Sequence, residues 1–238
     1  MAKSDGLILL FDVDDTLLDF AKSERRAITH TLKTFGIEPT EELIGAYSEI
    51  NLACWKLIED NKITRKQLDR MRFDILNERF AIEGKDSVAM GACYRKELSK
   101  ACYVIRGCRA LLAELSRTDR LFIVTNGAEP TQLKRLKKAG IDGLFEDIFY
   151  SESIGFSKPY REFFDYVAAH VKDWDAARAV LIGDSQTSDI AGANNAGITS
   201  VWFNRRNEKI GGVKPDFTVK NYGGLKAVLS RLRREIAK

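Results

Sequence analysis

The sequence predicts an α/β fold, a Rossmann-like parallel sheet with helices on both faces, plus an inserted all-helical cap domain. Three observations carry that expectation. Short, continuously apolar runs recur along the chain and stop at glycine or polar residues, as strands buried on both faces do. Segments of helical period separate most of them. From about residue 21 to 101 the alternation breaks, and helical periodicity alone remains.

The first strand is "LILLFD", residues 7–12. The insert follows. Ala27, Ile28, Thr31, Leu32 and Phe35 share one helical face, as do Leu43, Ile44, Tyr47, Ile50, Cys54, Leu57 and Ile58. Leu68, Met71, Ile75 and Leu76 make a third set, and a fourth helix runs from residue 86 to about 102. Turns fall at "FGIEPT", "DNKIT" and "IEGKDS". This assigns residues 1–18 and 103–238 to the sheet domain and 19–102 to the cap. Beyond the insert, strands are expected at 121–125, 147–151, 179–184 and 200–203, with a weaker one at 217–219. "EPTQLKRLKKAG" reads as a helix with Pro130 in its first turn and Gly140 as its stop. "REFFDYVAAHV" and "TSDIAGANNAG" follow the same logic.

Composition narrows the class. Of the 238 residues, 45% are hydrophobic and 30% charged, the balance of a water-soluble globular chain. The net charge of +4 is mild, and the basic run "SRLRREIAK" reads as a solvated terminal helix. No stripe of Lys and Arg interleaved with aromatics points to a nucleic acid polymer. Four cysteines without a C-x-x-C pair and only two histidines speak against a structural zinc site. "GLILLF" is too short to span a membrane. Free thiols without an export signal lead us to expect a cytoplasmic protein, monomeric or homodimeric.

In an open parallel sheet, ligands bind beyond the carboxyl ends of the strands. There the sequence places "DVDDT" (Asp12, Asp14, Asp15), "TNG" (Thr125, Asn126), "SKP" (Lys158) and "GDSQTSD" (Asp184, Asp189). These residues suit phosphoryl transfer. A carboxylate can act as nucleophile, and Asp12 ends the strand. Asp14, two residues on, faces the same side and can protonate a leaving oxygen and then activate water. Several carboxylates at one edge call for a cation, and oxygen ligands beside a phosphate favour Mg²⁺. Thr125 and Asn126, with the helix N–H groups that follow, can hold phosphoryl oxygens, and Lys158 can neutralise them. Each piece alone is ordinary turn composition. Asp15 and Asp19 read as turn or cap residues, and Thr16 as a residue satisfying the turn backbone.

The order of the four pieces resembles the haloacid dehalogenase-like (HAD) hydrolase superfamily, and the insert lies where that superfamily carries a C1 cap. The resemblance implies Asp12 as nucleophile and Asp14 as acid/base. It also implies Mg²⁺ held by the Asp12 carboxylate, the Asp14 carbonyl and Asp184, with Asp189 in support. The first motif often carries glycine where this chain has Asp15. Similar dehalogenases use one Asp without metal, so Asp14 and a complete fourth motif favour phosphate esters. "DRMRFDIL" and "LLDF" are similar to the pyrimidine 5′-nucleotidase-like branch. A nucleoside 5′-monophosphate is therefore the expected substrate among small phosphorylated metabolites. Phosphatases or phosphomutases of sugar phosphate or phosphoglycolate are the alternative, followed by a 2-haloacid dehalogenase or a binding protein without catalysis. Phe20, Trp55, Arg72 and Phe73 are candidate specificity residues. Their competing reading is cap core for the aromatics and solvated surface for Arg72.

Overall fold

A computed structural model of the protein describes residues 6–236. Strand β1 (Ile8–Phe11) is followed by four helices, α1 (Phe20–Thr34), α2 (Glu41–Glu59), α3 (Arg65–Arg79) and α4 (Ser87–Lys100). Strands and helices then alternate: α5 (Cys108–Leu115), β2 (Arg120–Thr125), α6 (Glu129–Ala139), β3 (Asp147–Tyr150), α7 (Ser151–Ile154), α8 (Arg161–His170), β4 (Ala179–Gly183), α9 (Ala191–Ala196) and β5 (Thr199–Phe203). The short β6 (Phe217–Val219) and α10 (Tyr222–Ile236) close the order. All six expected strands form, with ends within one residue of those read from the sequence. The helices α5, α7 and most of α10 were not read from the sequence.

The described residues fall into two compact units. One comprises the residues up to Asp19, Val104–Glu129 and those from Leu136 on. The other comprises Phe20–Tyr103 and Pro130–Arg135. Residues 130–135, expected in the sheet domain, group with the helical unit instead. Arg135 explains their grouping: its buried guanidinium donates to the Ala101 carbonyl (3.3 Å), the Ser23 hydroxyl (3.4 Å) and Gln132 Oε1 (3.0 Å), all in the helical unit.

The first unit is a six-stranded parallel sheet in the order β3-β2-β1-β4-β5-β6. β1 and β4 lie inside it, and every residue of both is buried. Ile8, Leu10, Val124 and Leu181 pack with Phe163, Phe164 and Val167 of α8 and Ala193 of α9 on one face. The alternate residues Leu9, Phe11, Ile123 and Ile182 are also buried, so both faces are covered. At the carboxyl end the ladder runs one bond further, from Asp12 N–H to the Ile182 carbonyl (2.9 Å). Asp12 is thereby anchored where the strand stops.

The second unit is helical throughout. Thr40 caps α2 by accepting from Leu43 N–H (3.2 Å). Thr64 and Gln67 form a reciprocal capping box at α3, and Asp86 caps α4 through Val88 N–H (2.8 Å). Tyr47, Phe73 and Tyr94 meet ring against ring, with centroids 5.1–6.2 Å apart. Ile75, expected on the apolar stripe, is exposed; the buried stripe of α3 is Leu68, Arg72, Phe73 and Leu76. No helix among the described residues is long and apolar enough to cross a membrane.

Candidate active site

Three strand ends and one loop converge on a buried lysine. Lys158, in the loop before α8, is 1% exposed and spends all three ammonium hydrogens. They go to Asp12 Oδ1 (2.8 Å), Asp189 Oδ1 (2.6 Å) and the Val124 carbonyl (2.9 Å). Burial works to lower the Lys158 pKa, but the Asp12 and Asp189 carboxylates outweigh it and hold the pKa raised. The lysine is a permanent cation in contact with the predicted nucleophile.

Asp12, Asp184 and Asp189 each present a carboxylate oxygen within 4.8 Å of the other two. Burial pushes Asp12 up to about 7 against the opposing pull of Lys158, with Asp189 and Asp14 adding to the rise. Burial, with Asp12 and Asp189 nearby, also pushes Asp184 well above the usual carboxylate range. One lysine does not neutralise this cluster. Hard oxygen donors whose joint ionisation a cation would favour fit a divalent ion such as Mg²⁺. Asp189 takes a supporting place: Oδ1 receives Lys158, and Oδ2 receives Ser185 N–H (3.0 Å). Asp184 is fixed from behind, where its carbonyl accepts from Trp202 Nε1 (2.7 Å).

Thr125 is the last residue of β2, 1% exposed, and its hydroxyl accepts from Gly127 N–H (3.0 Å). The side chain of Asn126 is taken up by the backbone of Lys158. Its Oδ1 accepts from Lys158 N–H and its Nδ2 donates to the Lys158 carbonyl, both at 2.9 Å. The amide therefore holds the lysine's backbone. Asp14 lies beyond Asp12, half-buried, with its charge felt at Asp12. Asp15 adopts the left-handed turn conformation (φ 58°) and accepts from Arg206 (2.6 Å), and Asp19 pairs with Arg205 (3.8 Å). Thr16 corrects its expectation. Its buried hydroxyl has no hydrogen-bond partner, and the turn is tied instead by the Thr16 carbonyl, which accepts from Tyr222 OH (2.7 Å).

The four cap candidates have different surroundings. Phe73 has no exposed surface and packs against Tyr47 and Tyr94, in keeping with the cap-core reading of the aromatics. Arg72 corrects the reading as solvated surface. It is 3% exposed, pairs with Asp69 (2.8 Å), donates to Asn51 (3.1 Å) and lies 4.4 Å over the Tyr94 ring. Asn51 in turn donates to Glu24 (2.7 Å). Trp55 is half-buried under the Arg65 guanidinium, and Phe20 is half-buried beneath Arg135.

A parallel sheet with a helical insert, an acidic cluster and a buried lysine at its strand ends defines a class of capped α/β hydrolases. The chain belongs to the haloacid dehalogenase-like hydrolase family, whose model matches residues 9–203. It is 38% identical to the HAD-hydrolase YfnB of Bacillus subtilis, over 82% of this chain and 83% of that one. A crystal structure of YfnB bound to magnesium superposes with a TM-score of 0.89, covering 94% of this chain and 98% of that one. PynA of Streptococcus pneumoniae, named a pyrimidine 5′-nucleotidase, is 34% identical over 91% of this chain and 92% of its own. YjjG of Escherichia coli bears the same name and is 28% identical over 94% and 97%.

Proposed function

We propose that the protein is a Mg²⁺-dependent phosphate monoester hydrolase working through an aspartyl phosphate, with a nucleoside 5′-monophosphate as substrate. The observation that carries this reading is Lys158 seated between Asp12 and Asp189, with Asp184 completing the acidic cluster. The pyrimidine 5′-nucleotidase names of PynA and YjjG support the nucleotide. The magnesium in the YfnB crystal structure supports the metal.

The steps follow from the residues. An Asp12 carboxylate oxygen attacks phosphorus and the bond to the leaving oxygen breaks. Asp14, protonated, gives its proton to that oxygen. The Asp14 carboxylate then takes a proton from water, whose oxygen attacks the same phosphorus. The Asp12–phosphorus bond breaks, and inorganic phosphate and free Asp12 result. Lys158 and Thr125 face the charge that builds on the phosphoryl oxygens. Asp12, the Asp14 carbonyl and Asp184 would hold Mg²⁺, which supplies charge neutralisation at the phosphoryl group.

The experiment is phosphate release from p-nitrophenyl phosphate and from a panel of nucleotides and sugar phosphates, with Mg²⁺. The wild type turns over the aryl ester, and a pyrimidine 5′-monophosphate ranks among its best substrates. Asp12→Asn loses at least about a thousandfold in kcat, the scale on which a missing covalent nucleophile is felt. Folded protein inert toward every phosphate ester would overturn the reading. Turnover confined to sugar phosphates would overturn only the nucleotide assignment.

A further inference from the structure

The loop that follows β5 grips both acid-bearing turns of the sheet unit, and the roles proposed for the four motifs do not account for it. Its root is firm. Asn204 N–H donates to the Val219 carbonyl (2.8 Å). The Asn204 side chain clamps Glu208, accepting from its N–H (2.8 Å) and donating to its carbonyl (2.9 Å). Further on, Gln186 donates to the Lys209 carbonyl (3.0 Å) and accepts from Gly211 N–H (2.6 Å). Gln186 stands two residues after Asp184, so this grip reaches the turn beyond β4. The other grip is Arg206 on Asp15, a contact across 191 residues of sequence, and Asp15 directly follows Asp14. Asp15, Asp184, Asn204 and Arg206 line one recess.

We propose that Arg206, through Asp15, is a positioning residue for the Asp14 proton donor. The inference rests on the phosphatase reading above. Asp15 holds a left-handed conformation, donates its N–H to the Leu18 carbonyl (2.7 Å), and keeps its carboxylate 13% exposed against the guanidinium. With both ends of Asp15 fixed, the backbone of Asp14 has little room to shift. Arg206 itself is 54% exposed, so the pair adds little to stability. What it adds is placement, and a general acid works only within hydrogen-bond reach of the oxygen it protonates. A displacement of about 1 Å can cost a hundredfold. Esters with basic leaving groups depend most on that proton.

The test is kcat/KM for a series of aryl phosphates whose leaving phenols differ in acidity. In Arg206→Gln, phenyl phosphate should lose about tenfold more than p-nitrophenyl phosphate, a part of the general-acid contribution. Arg206→Lys should recover most of the loss. Asp15→Asn, which tolerates the same turn, should reproduce the Gln effect, and the double variant should add nothing to it. Melting temperatures should stay close to wild type. Equal losses across the series, or none, would overturn the proposal while leaving the phosphatase reading intact. A folded wild type inert toward every phosphate ester, nucleotides included, would overturn both.

Discussion

Gly183 shows how tightly single residues are set around Lys158. A β-carbon built there would lie 2.2 Å from the Asp189 carboxyl carbon, closer than any packing tolerates. Glycine lets the Asp189 carboxylate rest against the end of β4 and still reach Lys158. Gly183→Ala should therefore destabilise by about 1–3 kcal/mol in urea unfolding, the range for overpacking a buried site. Turnover should fall at least about tenfold as Asp189 shifts off the lysine. Wild-type turnover in that variant would mean that Asp189 has no part in holding Lys158. Asp12, Thr125, Lys158 and Asp184 were legible in the sequence because chemically distinctive residues stood where apolar runs stopped. The Asn126 clamp was not, because its partner is a backbone 32 residues away and any turn tolerates asparagine. Arg206 and Tyr222 were invisible for the same reason: each meets the first turn only across the folded sheet.

Helix α3 carries the lesson at the scale of an element. Its apolar period marks Leu68 and Leu76, and Arg72 lies four residues from each, on the same face. A polar residue drops out of an apolar count even when geometry places it inside. The helical unit accepts Arg72 because Asp69 and Asn51 take its two terminal nitrogens, although its buried Nε has no hydrogen-bond partner; Arg95 also pairs with Asp69. Cutting Arg72 to alanine leaves the Asp69 and Asn51 side chains short of a buried partner. Arg95 still pairs with Asp69, so we expect Arg72→Ala to cost about 1–3 kcal/mol, the scale for leaving buried polar groups unsatisfied. Denaturant melts that shift by less than about 1 kcal/mol would show that the network contributes little. The strands were easier to read. Continuous apolar runs ending at Asp, Thr or Gly have one interpretation in a parallel sheet, whereas the short helices α5 and α7 offer too few turns for a period to show.

At the scale of the molecule, the parallel sheet brings Asp12, Thr125 and Asp184 to the same edge from positions up to 172 residues apart in sequence. The loop before α8 then delivers Lys158 to them. Three carboxyls share one lysine there, burial and mutual repulsion raise Asp12 and Asp184, and this resistance to full ionisation underlies the expected metal dependence. Mg²⁺ at 100 times its dissociation constant should stabilise the folded protein by about 2.7 kcal/mol, read as a rise in melting temperature that EDTA reverses. Asp184→Asn should blunt that rise. An equal rise in wild type and variant would place the metal elsewhere.

The central claim is that Asp12 accepts the phosphoryl group. A crystal structure of the protein with Mg²⁺ and beryllium fluoride tests it most directly, because fluoroberyllate bonded to a carboxylate mimics an acyl phosphate. The account predicts a tetrahedral adduct on Asp12, with Lys158 and Thr125 against its fluorides. A well-formed adduct on another carboxylate, or an unmodified Asp12 in crystals of an active enzyme at saturating reagent, would contradict it.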